Sequence, residues 1–266
     1  MKQSSNIKAL FFDIDGTLVS FKTHQIPQST IEAIAMAKKN GVGIYISTGR
    51  PLSIITNLKA IEKYIDGYIT TNGALCIVDG KIISSNPINH HEVDVMMADA
   101  RRNDFTCIVV GEKRLGVYNP KQQFHDIFVR DLAVDNIDLS IDAEKLVESE
   151  NILQLTPFIT AGHESEIMKE MPDCVSGRWH PAFTDITSVG ADKGKGMEVM
   201  ARYLGFDISE TMAFGDGGND VAILRRTGIG VAMGNAGEPA LRAADYITTS
   251  VDEDGVMNAL KHFGVI

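Results

Sequence analysis

Short apolar runs alternate with amphipathic stretches over the first part of the chain. The runs Ala9–Ile14, Gly43–Ser47 and Gly67–Thr71 are predicted strands, and the stretches Ser29–Asn40 and Pro51–Ile61 have apolar residues at helical spacing. Strands that alternate with helices through short loops form a parallel sheet with helices on both faces. The pattern therefore predicts an α/β fold with a doubly wound parallel sheet, whose ligand site lies beyond the carboxyl ends of the strands.

The middle of the chain departs from this alternation. A hairpin is predicted around the turn Asp79-Gly80, followed by a helix Glu92–Arg102 and the short strands Thr106–Val110 and Leu115–Tyr118. The alternating pattern returns near residue 185, in the predicted elements Gly194–Leu204, Thr211–Phe214, Asp220–Arg226, Gly228–Val231, Glu238–Ala243, Tyr246–Thr248 and Gly255–Phe263. We therefore expect a core domain of residues 1–84 and 185–266, and an inserted α+β cap domain of residues 85–184.

The composition narrows the classes of partner. The 266 residues carry a net charge of −10, which argues against nucleic acid or an anionic membrane as the main partner, although local Lys and Arg can still hold a small phosphate. The three cysteines are widely spaced without a CxxC pair, as expected for reduced thiols in the cytoplasm. No run approaches the ~20 apolar residues of a membrane span. No signal peptide is expected, since residues 1–8 are polar and Asp13 interrupts the apolar run behind them.

Two acidic pairs carry the chemistry most clearly. Asp13 and Asp15 follow the first apolar run, and Asp216 and Asp220 follow the run Met212–Phe214 in a glycine-rich loop. Carboxylates at a dry strand end are costly unless something compensates them. A hard divalent cation such as Mg²⁺ prefers oxygen ligands and would compensate them. One carboxylate could then attack phosphorus while the other handles the proton, although an Asp-Gly turn without chemistry is the plain alternative for the first pair.

Two further segments could hold a phosphoryl group. Thr48-Gly49-Arg50 follows the second predicted strand, where a hydroxyl and backbone N–H groups could cradle phosphate oxygens. Simple helix capping before Pro51 explains the same residues. Lys193 lies at a predicted helix N-terminus, which is unfavourable for a cation unless an anion is near; a solvated surface lysine is the alternative.

In the inserted domain, Arg178, Trp179 and His180 are candidate substrate selectors. Trp179 is the only tryptophan of the chain. Packing is the commoner role of a lone tryptophan, and stacking on a sugar is the alternative.

In order along the chain, Asp13-Ile14-Asp15-Gly16-Thr17, Thr48-Gly49-Arg50, Lys193 and residues 215–220 resemble the four motifs of the haloacid dehalogenase superfamily. Residues 71–74 and 230–236 narrow the resemblance to the Cof-type phosphatases of subfamily IIB, which have a large α/β cap. Residues 157–160 and 178–186 are similar to those of Bacteroides-type hexose-phosphate phosphatases. The resemblance covers essentially the whole chain and implies a Rossmann-like core.

The resemblance also implies roles for the motif residues. Asp13 would be the nucleophile and a Mg²⁺ ligand, and Asp15 would be the general acid and base, with its backbone carbonyl on the metal. The remaining roles are phosphate binding by Thr48, Gly49, Arg50, Lys193 and Asn219, and metal binding by Asp216 and Asp220.

The expected activity is Mg²⁺-dependent hydrolysis of small phosphate esters, chiefly sugar phosphates, through an aspartyl-phosphate, with the cap selecting the leaving group. A sugar phosphomutase and a non-catalytic sugar-phosphate-binding regulator are the alternatives.

Overall fold

The computed structural model describes residues 6–131, 134 and 136–266, and this part of the chain forms two units. The first unit comprises the described residues up to Arg50, together with Ile55–Ser84 and Asp192–Ile266; the second comprises Pro51–Ile54 and the described residues within Ser85–Ala191. No helix among these residues is long and apolar enough to cross a membrane.

The strands of the described residues are, in chain order, β1 (Ala9–Phe12), β2 (Gly43–Ser47), β3 (Gly67–Thr70), β4 (Leu75–Val78), β5 (Lys81–Ser85), β6 (Cys107–Gly111), β7 (Leu115–Tyr118), β8 (Ile152–Pro157), β9 (Cys174–His180), β10 (Phe183–Ser188), β11 (Thr211–Gly215), β12 (Ile229–Ala232) and β13 (Tyr246–Ile247). The α-helices are α1 (Gln28–Lys39), α2 (His90–Asn103), α3 (Gln122–Phe124), α4 (Ala143–Ser149), α5 (Ala161–Ile167), α6 (Lys193–Leu204), α7 (Val221–Arg226), α8 (Glu238–Ala243) and α9 (Gly255–His262). A π-helical segment, His125–Asp131, continues α3.

The sheet of the first unit has the strand order β13-β12-β11-β1-β2-β3-β4-β5. Its strands from β13 to β3 are parallel, and β4 runs antiparallel to β3. The predicted hairpin of β4 and β5 is present, with positive φ angles at both Asp79 and Gly80 as a tight two-residue turn requires. The predicted doubly wound parallel sheet is thereby confirmed.

Alternate residues of β1 supply two apolar cores, one on each face of this sheet. Leu10 and Phe12 pack with residues of α1 and α9 on one face, whereas Ala9 and Phe11 pack with Met197 and others from α6 on the opposite face. All four β1 side chains are fully buried. Burial of each large apolar side chain contributes about 1.5–3 kcal/mol, so β1 is anchored from both sides and its carboxyl end is held rigidly.

The second unit is built on a five-stranded antiparallel sheet with the order β7-β6-β8-β10-β9. Residues of α2, α4 and α5 pack on one face with Leu155 and Ile186. On the other face, an aromatic cluster that includes Phe124, Phe158 and Phe183 packs against β6 and β7. The expected α+β character of the inserted segment agrees with this arrangement.

The structure corrects two sequence predictions. No α-helix forms over Pro51–Ile61; the segment has a 3₁₀ turn, Leu52–Ile54, followed by irregular turns. The reason is that Ile54 packs in the aromatic cluster of the second unit, while Leu58 and Ile61 pack in the core of the first unit. These residues therefore cannot share one helix face. The expected boundary at residue 185 is also too early, since β10 extends to Ser188 and the second unit to Ala191.

All three cysteines are buried and free. Burial raises the pKa of the Cys76 and Cys107 thiols to about 12. These groups therefore stay protonated and behave as small apolar side chains.

Candidate active site

Three neighbouring parallel strands of the first unit bring the predicted site residues to one edge of the sheet. Asp13 follows β1, Thr48 follows β2 and Asp216 follows β11, and β1 lies between β2 and β11. The Asp13 N–H continues the ladder by donating to the Phe214 carbonyl at 3.0 Å. The carboxyl ends of parallel strands form the usual ligand site of such sheets, and the structure puts two of the four motif carboxylates there.

Lys193 is the centre of this site. Its Nζ donates to Asp13 Oδ1 and to Asp220 Oδ1, both at 2.6 Å, and its side chain is completely buried. The interpretation of Lys193 as a solvated surface lysine is therefore wrong. The cation at the start of α6 has the anionic neighbours that its position requires.

Burial and charge together perturb the ionisable groups. Burial raises the pKa of Asp13 well above its usual range; Lys193 opposes this shift, and the Asp220 and Asp216 carboxylates add to it. Burial, with repulsion from Asp220, also raises the pKa of Asp216 to about 7. Burial alone would lower the pKa of Lys193, but Asp13 and Asp220 raise it above its ordinary value. Lys193 is therefore charged, and its one positive charge is not enough to balance the three carboxyl groups of Asp13, Asp216 and Asp220 when these are ionised.

The loop after β11 is shaped by Asp220. Its Oδ2 accepts the backbone N–H groups of Asp216 and Gly217 at 3.0 and 2.9 Å, while its Oδ1 accepts from Lys193. A Cβ atom at Gly215 would lie 2.5 Å from the Asp220 side chain, so only glycine fits there. Asp220 thus folds the loop and orients the Lys193 ammonium beside Asp13.

The first acidic motif contacts the same loop closely. Gly16 has a φ of +80°, and a Cβ atom there would lie 2.1 Å from Asp216 Oδ2. A residue with a side chain is excluded at this position by both strain and space. Asn235 joins the first acidic motif to the segment that contains Val251, because its Nδ2 donates to the Gly16 carbonyl at 2.8 Å and its Oδ1 accepts the Val251 N–H at 2.8 Å.

Asp15 and Arg50 form a bidentate ion pair. The Arg50 Nε and Nη2 donate to Asp15 Oδ2 and Oδ1 at 2.7 and 2.9 Å. The Arg50 N–H also donates to Thr48 Oγ1 at 3.1 Å. Thr48 and Gly49 lie at the predicted edge of the sheet, but the guanidinium of Arg50, predicted to bind phosphate, holds Asp15. Because no α-helix follows, a helix dipole does not contribute to this turn.

Asn72 joins the β2 and β11 loops. Its backbone is left-handed, with a φ of 53°, and its Oδ1 accepts from Asn219 Nδ2 at 3.0 Å. Its own N–H donates to the Thr48 carbonyl at 3.1 Å. Asn219, predicted to bind phosphate, is thereby placed on the same side of the site as Thr48.

The carboxylates fit a divalent cation. One oxygen each from Asp13, Asp216 and Asp220 lie within 4.8 Å of one another. When all three carboxylates are ionised, they leave two negative charges beyond the one Lys193 ammonium, and the Asp15–Arg50 pair is neutral by itself. Hard carboxylate oxygens are the donors that Mg²⁺ takes, usually one or two of them together with water and substrate phosphate. The donor set and its charge therefore suit Mg²⁺, with Asp13 and Asp216 as the carboxylates left unengaged by the loop.

The three candidate selectors lie in the second unit on β9, and each of them has structural partners. Arg178 is held by Glu164 at 2.5 Å and by the carbonyls of Ile159 and Pro181, both at 3.0 Å. His180 Nδ1 accepts the Ala182 N–H at 3.1 Å, and its ring stacks on a neighbouring phenylalanine. The Trp179 Nε1 donates to Asp185 Oδ2 at 2.8 Å, although 58% of the residue is exposed.

Sequence reasoning missed the contributions of Asn72 and Asn235. Both fall in segments that carry the family resemblance, so their position was noticed but their function was not. The available signal was an asparagine beside a glycine at the end of a strand. Asparagine tolerates a left-handed backbone conformation, and its side-chain amide can form hydrogen bonds that join loops.

Comparison with known proteins shows which family the chain resembles in sequence and structure. The sequence profile of the haloacid dehalogenase-like hydrolases matches residues 10–260. The solved subclass IIB sugar phosphatase BT4131 of that superfamily is 48% identical, with a TM-score of 0.88 over 97% of this chain and 100% of its own. BT1666, a phosphatase from Bacteroides thetaiotaomicron, is 36% identical, with a TM-score of 0.86 over 98% of this chain and 96% of its own. The 5-amino-6-(5-phospho-D-ribitylamino)uracil phosphatase YcsE of Bacillus subtilis is 26% identical over 98% of each chain.

Proposed function

Because the chain belongs to the haloacid dehalogenase-like hydrolases and is a phosphatase, we propose that it hydrolyses small sugar phosphates, hexose phosphates first among them, with Mg²⁺ and through an aspartyl-phosphate on Asp13. The first unit would be the catalytic core and the second the substrate-selecting cap. The free buried thiols are compatible with a reducing, cytoplasmic setting.

One observation carries the catalytic part of this proposal. Asp13, at the carboxyl end of β1, is buried beside Lys193 and lies in a cluster of carboxylates, while Asp15, two residues further along the chain, is paired with Arg50. The two aspartates therefore have different surroundings, which is how one fold assigns two carboxylates different roles. Asp13 suits the nucleophile and Asp15 the proton-transfer group.

Asp13 opens the reaction by attacking the phosphorus atom, so that an oxygen–phosphorus bond forms as the ester bond breaks. Lys193 offsets the negative charge on the transferring group, and Thr48 with the Gly49 backbone would hold its oxygens. Asp15 gives a proton to the leaving alcohol. Bound at Asp13 and Asp216, Mg²⁺ would neutralise phosphate charge and orient the phosphoryl group.

A water molecule completes the cycle. Asp15, now deprotonated, accepts a proton from that water as its oxygen attacks phosphorus. The bond to Asp13 breaks, which releases inorganic phosphate and restores the Asp13 carboxylate. Arg50 holds the ionised Asp15 carboxylate in one orientation by two hydrogen bonds, and this is the form in which Asp15 accepts the proton from water.

The substrate class is supported by the sugar phosphatase BT4131, which matches this chain over nearly its whole length. YcsE, named for a phosphate ester with a ribityl chain, shows that other polyhydroxylated leaving groups occur among relatives. We therefore expect a phosphorylated sugar or sugar alcohol as the substrate of this chain.

Release of inorganic phosphate from a panel of hexose phosphates, pentose phosphates, nucleotides and pyridoxal phosphate tests the proposal. We expect release from the sugar phosphates that EDTA abolishes and Mg²⁺ restores, and none from the Asp13→Asn variant. Undiminished activity after exhaustive chelation would disprove the metal requirement. A sugar-phosphate isomer formed without free phosphate would show a mutase, and binding without turnover would show a regulator.

A further inference from the structure

The turn between β3 and β4, Thr71–Gly73, has three consecutive residues in the left-handed backbone region. The φ angles are 52° at Thr71, 53° at Asn72 and 96° at Gly73. Asparagine and glycine tolerate this conformation, but a β-branched residue such as threonine rarely adopts it. Backbone strain of this kind persists only where the surrounding structure holds it, and it is concentrated at functional sites.

Backbone hydrogen bonds join this turn to the segment that follows β2. The Thr71 N–H donates to the Arg50 carbonyl at 3.2 Å, and the Asn72 N–H donates to the Thr48 carbonyl at 3.1 Å. Thr48 and the Gly49 backbone are the groups proposed to hold phosphate oxygens. The left-handed turn is therefore fixed relative to the segment that would bind the phosphoryl group.

The side chain of Asn72 lies between Gly49 and Asn219. Its Oδ1 accepts from the Asn219 Nδ2 at 3.0 Å. A Cβ atom at Gly49 would lie 3.0 Å from Asn72 Oδ1 and 3.5 Å from Asn219 Nδ2. The Gly49 backbone and the two amides are therefore packed closely together, and Asn72 links the segment after β2 to the loop after β11.

The contact with Asn72 sets the orientation of the Asn219 side chain. Asn219 is exposed, and its amide nitrogen carries two N–H groups. One of them donates to Asn72, and among the described residues no acceptor is bonded to the other. A donor that is held in one orientation before its ligand arrives loses less conformational entropy on binding. The second N–H is thus oriented by Asn72 and available to a phosphoryl oxygen.

We propose that Asn72 is a positioning residue of the phosphate site, whose side chain holds the Asn219 amide so that its second N–H donates to an oxygen of the phosphoryl group. This inference rests on the proposed function and on the predicted binding of phosphate by Asn219. It also accounts for the strained turn, because the left-handed backbone brings the Asn72 amide against Gly49 and Asn219.

Asn72→Gly removes the amide and keeps the backbone, because glycine adopts the left-handed conformation without strain. With Mg²⁺ and the hexose phosphate that is hydrolysed fastest, we expect the inhibition constant of inorganic phosphate to rise about 10-fold, since a hydrogen bond to a charged acceptor contributes at least that factor. The KM should rise by a similar factor, while kcat falls less than about threefold. The unfolding temperature should stay within about 3 °C of the wild type.

A second substitution, Asn219→Ala, shows whether Asn72 acts through Asn219. In the Asn219→Ala background, Asn72→Gly should raise the inhibition constant of phosphate less than about twofold, because the group that it orients is already gone. The same rise of about 10-fold in both backgrounds would show that Asn72 acts independently of Asn219, and would overturn the proposal.

Asn119→Gly is the matched control, since it makes the same change at a left-handed asparagine of the second unit, with a φ of 47°. Its inhibition constant for phosphate should stay within about twofold of the wild-type value. An Asn72→Gly protein that unfolds about 10 °C or more below the wild type would show that Asn72 serves stability, and would also overturn the proposal.

The wild-type protein separates failure of this inference from failure of the proposed function. If it releases phosphate from no ester of the panel, the proposed function fails. If it releases phosphate, and Asn72→Gly leaves the inhibition constant of phosphate unchanged, the proposed function stands and Asn72 does not position the phosphate site.

Discussion

Arg50 holds Asp15 by two hydrogen bonds, of 2.7 Å from Nε to Oδ2 and 2.9 Å from Nη2 to Oδ1. Parallel bonds of this kind fix the plane of the carboxylate as well as its position. Arg50, which the sequence predicted to bind phosphate, therefore binds Asp15, the proposed general acid and base. This contact makes Arg50 a positioning residue for Asp15.

Replacement of Arg50 by lysine tests this relationship. Lysine keeps the charge but cannot form the two-pronged contact, so we predict that kcat falls about 10- to 100-fold because proton transfer by a positioned acid contributes at least that much. The KM should change less than about threefold, because the substitution keeps the contacts that bind the substrate and the transition state equally well. Steady-state kinetics on a hexose phosphate decide the matter. A raised KM with unchanged kcat would show phosphate binding instead, and Arg202→Lys, exposed on α6, is the control.

Asp13→Asn should separate chemistry from stability. The variant loses the nucleophile, so we predict a fall in kcat of at least about 10³-fold. The raised pKa of Asp13 means that burial disfavours its charged form in the folded protein. Without metal, the asparagine variant should therefore unfold at the same temperature as the wild type or a higher one. Thermal unfolding in EDTA measures this, and a variant that fails to fold would show that Asp13 is structural.

The adjacency of Asp13 and Asp216 was predictable from sequence, because both follow apolar strands and parallel strands share one carboxyl edge. Their contacts were not predictable. Nothing in the order of residues shows that Lys193 lies between Asp13 and Asp220, or that the guanidinium of Arg50 faces Asp15. Such contacts depend on side-chain geometry that only the folded chain fixes.

The failed helix over Pro51–Ile61 has a different cause. Its apolar spacing suits a helix, but the spacing does not show that Ile54 packs in one unit and Leu58 in the other. The apolar residues of this segment are divided between the cores of the two units. A prediction from helical periodicity assumes that all apolar residues of a segment face one core.

Lys193→Met should destabilise the first unit strongly. The substitution removes the ammonium and leaves Asp13 and Asp220 buried without their partner. Breaking a buried ion pair from one side costs about 3–5 kcal/mol, so we predict a loss of that size in the free energy of unfolding in EDTA, measured with urea. Lys195→Met, two residues later on α6, removes an exposed lysine and should cost less than about 1 kcal/mol. An equal loss of unfolding free energy in the two variants would show that the buried ion pairs of Lys193 do not stabilise the first unit.

Divalent cation binding should appear as thermal stabilisation. When Asp13, Asp216 and Asp220 are ionised, they carry two negative charges beyond that of the Lys193 ammonium, which favours a cation that binds only the folded chain. At a Mg²⁺ concentration about 100 times the dissociation constant, the unfolding temperature should rise by roughly 5 °C or more. Asp216→Asn should lose that increment, because a neutral amide replaces one of the two carboxylates that the loop leaves unengaged. Asp207→Asn, at the exposed start of a 3₁₀ turn in the same unit, should keep it, so an equal Mg²⁺ response in all three proteins would place the cation elsewhere.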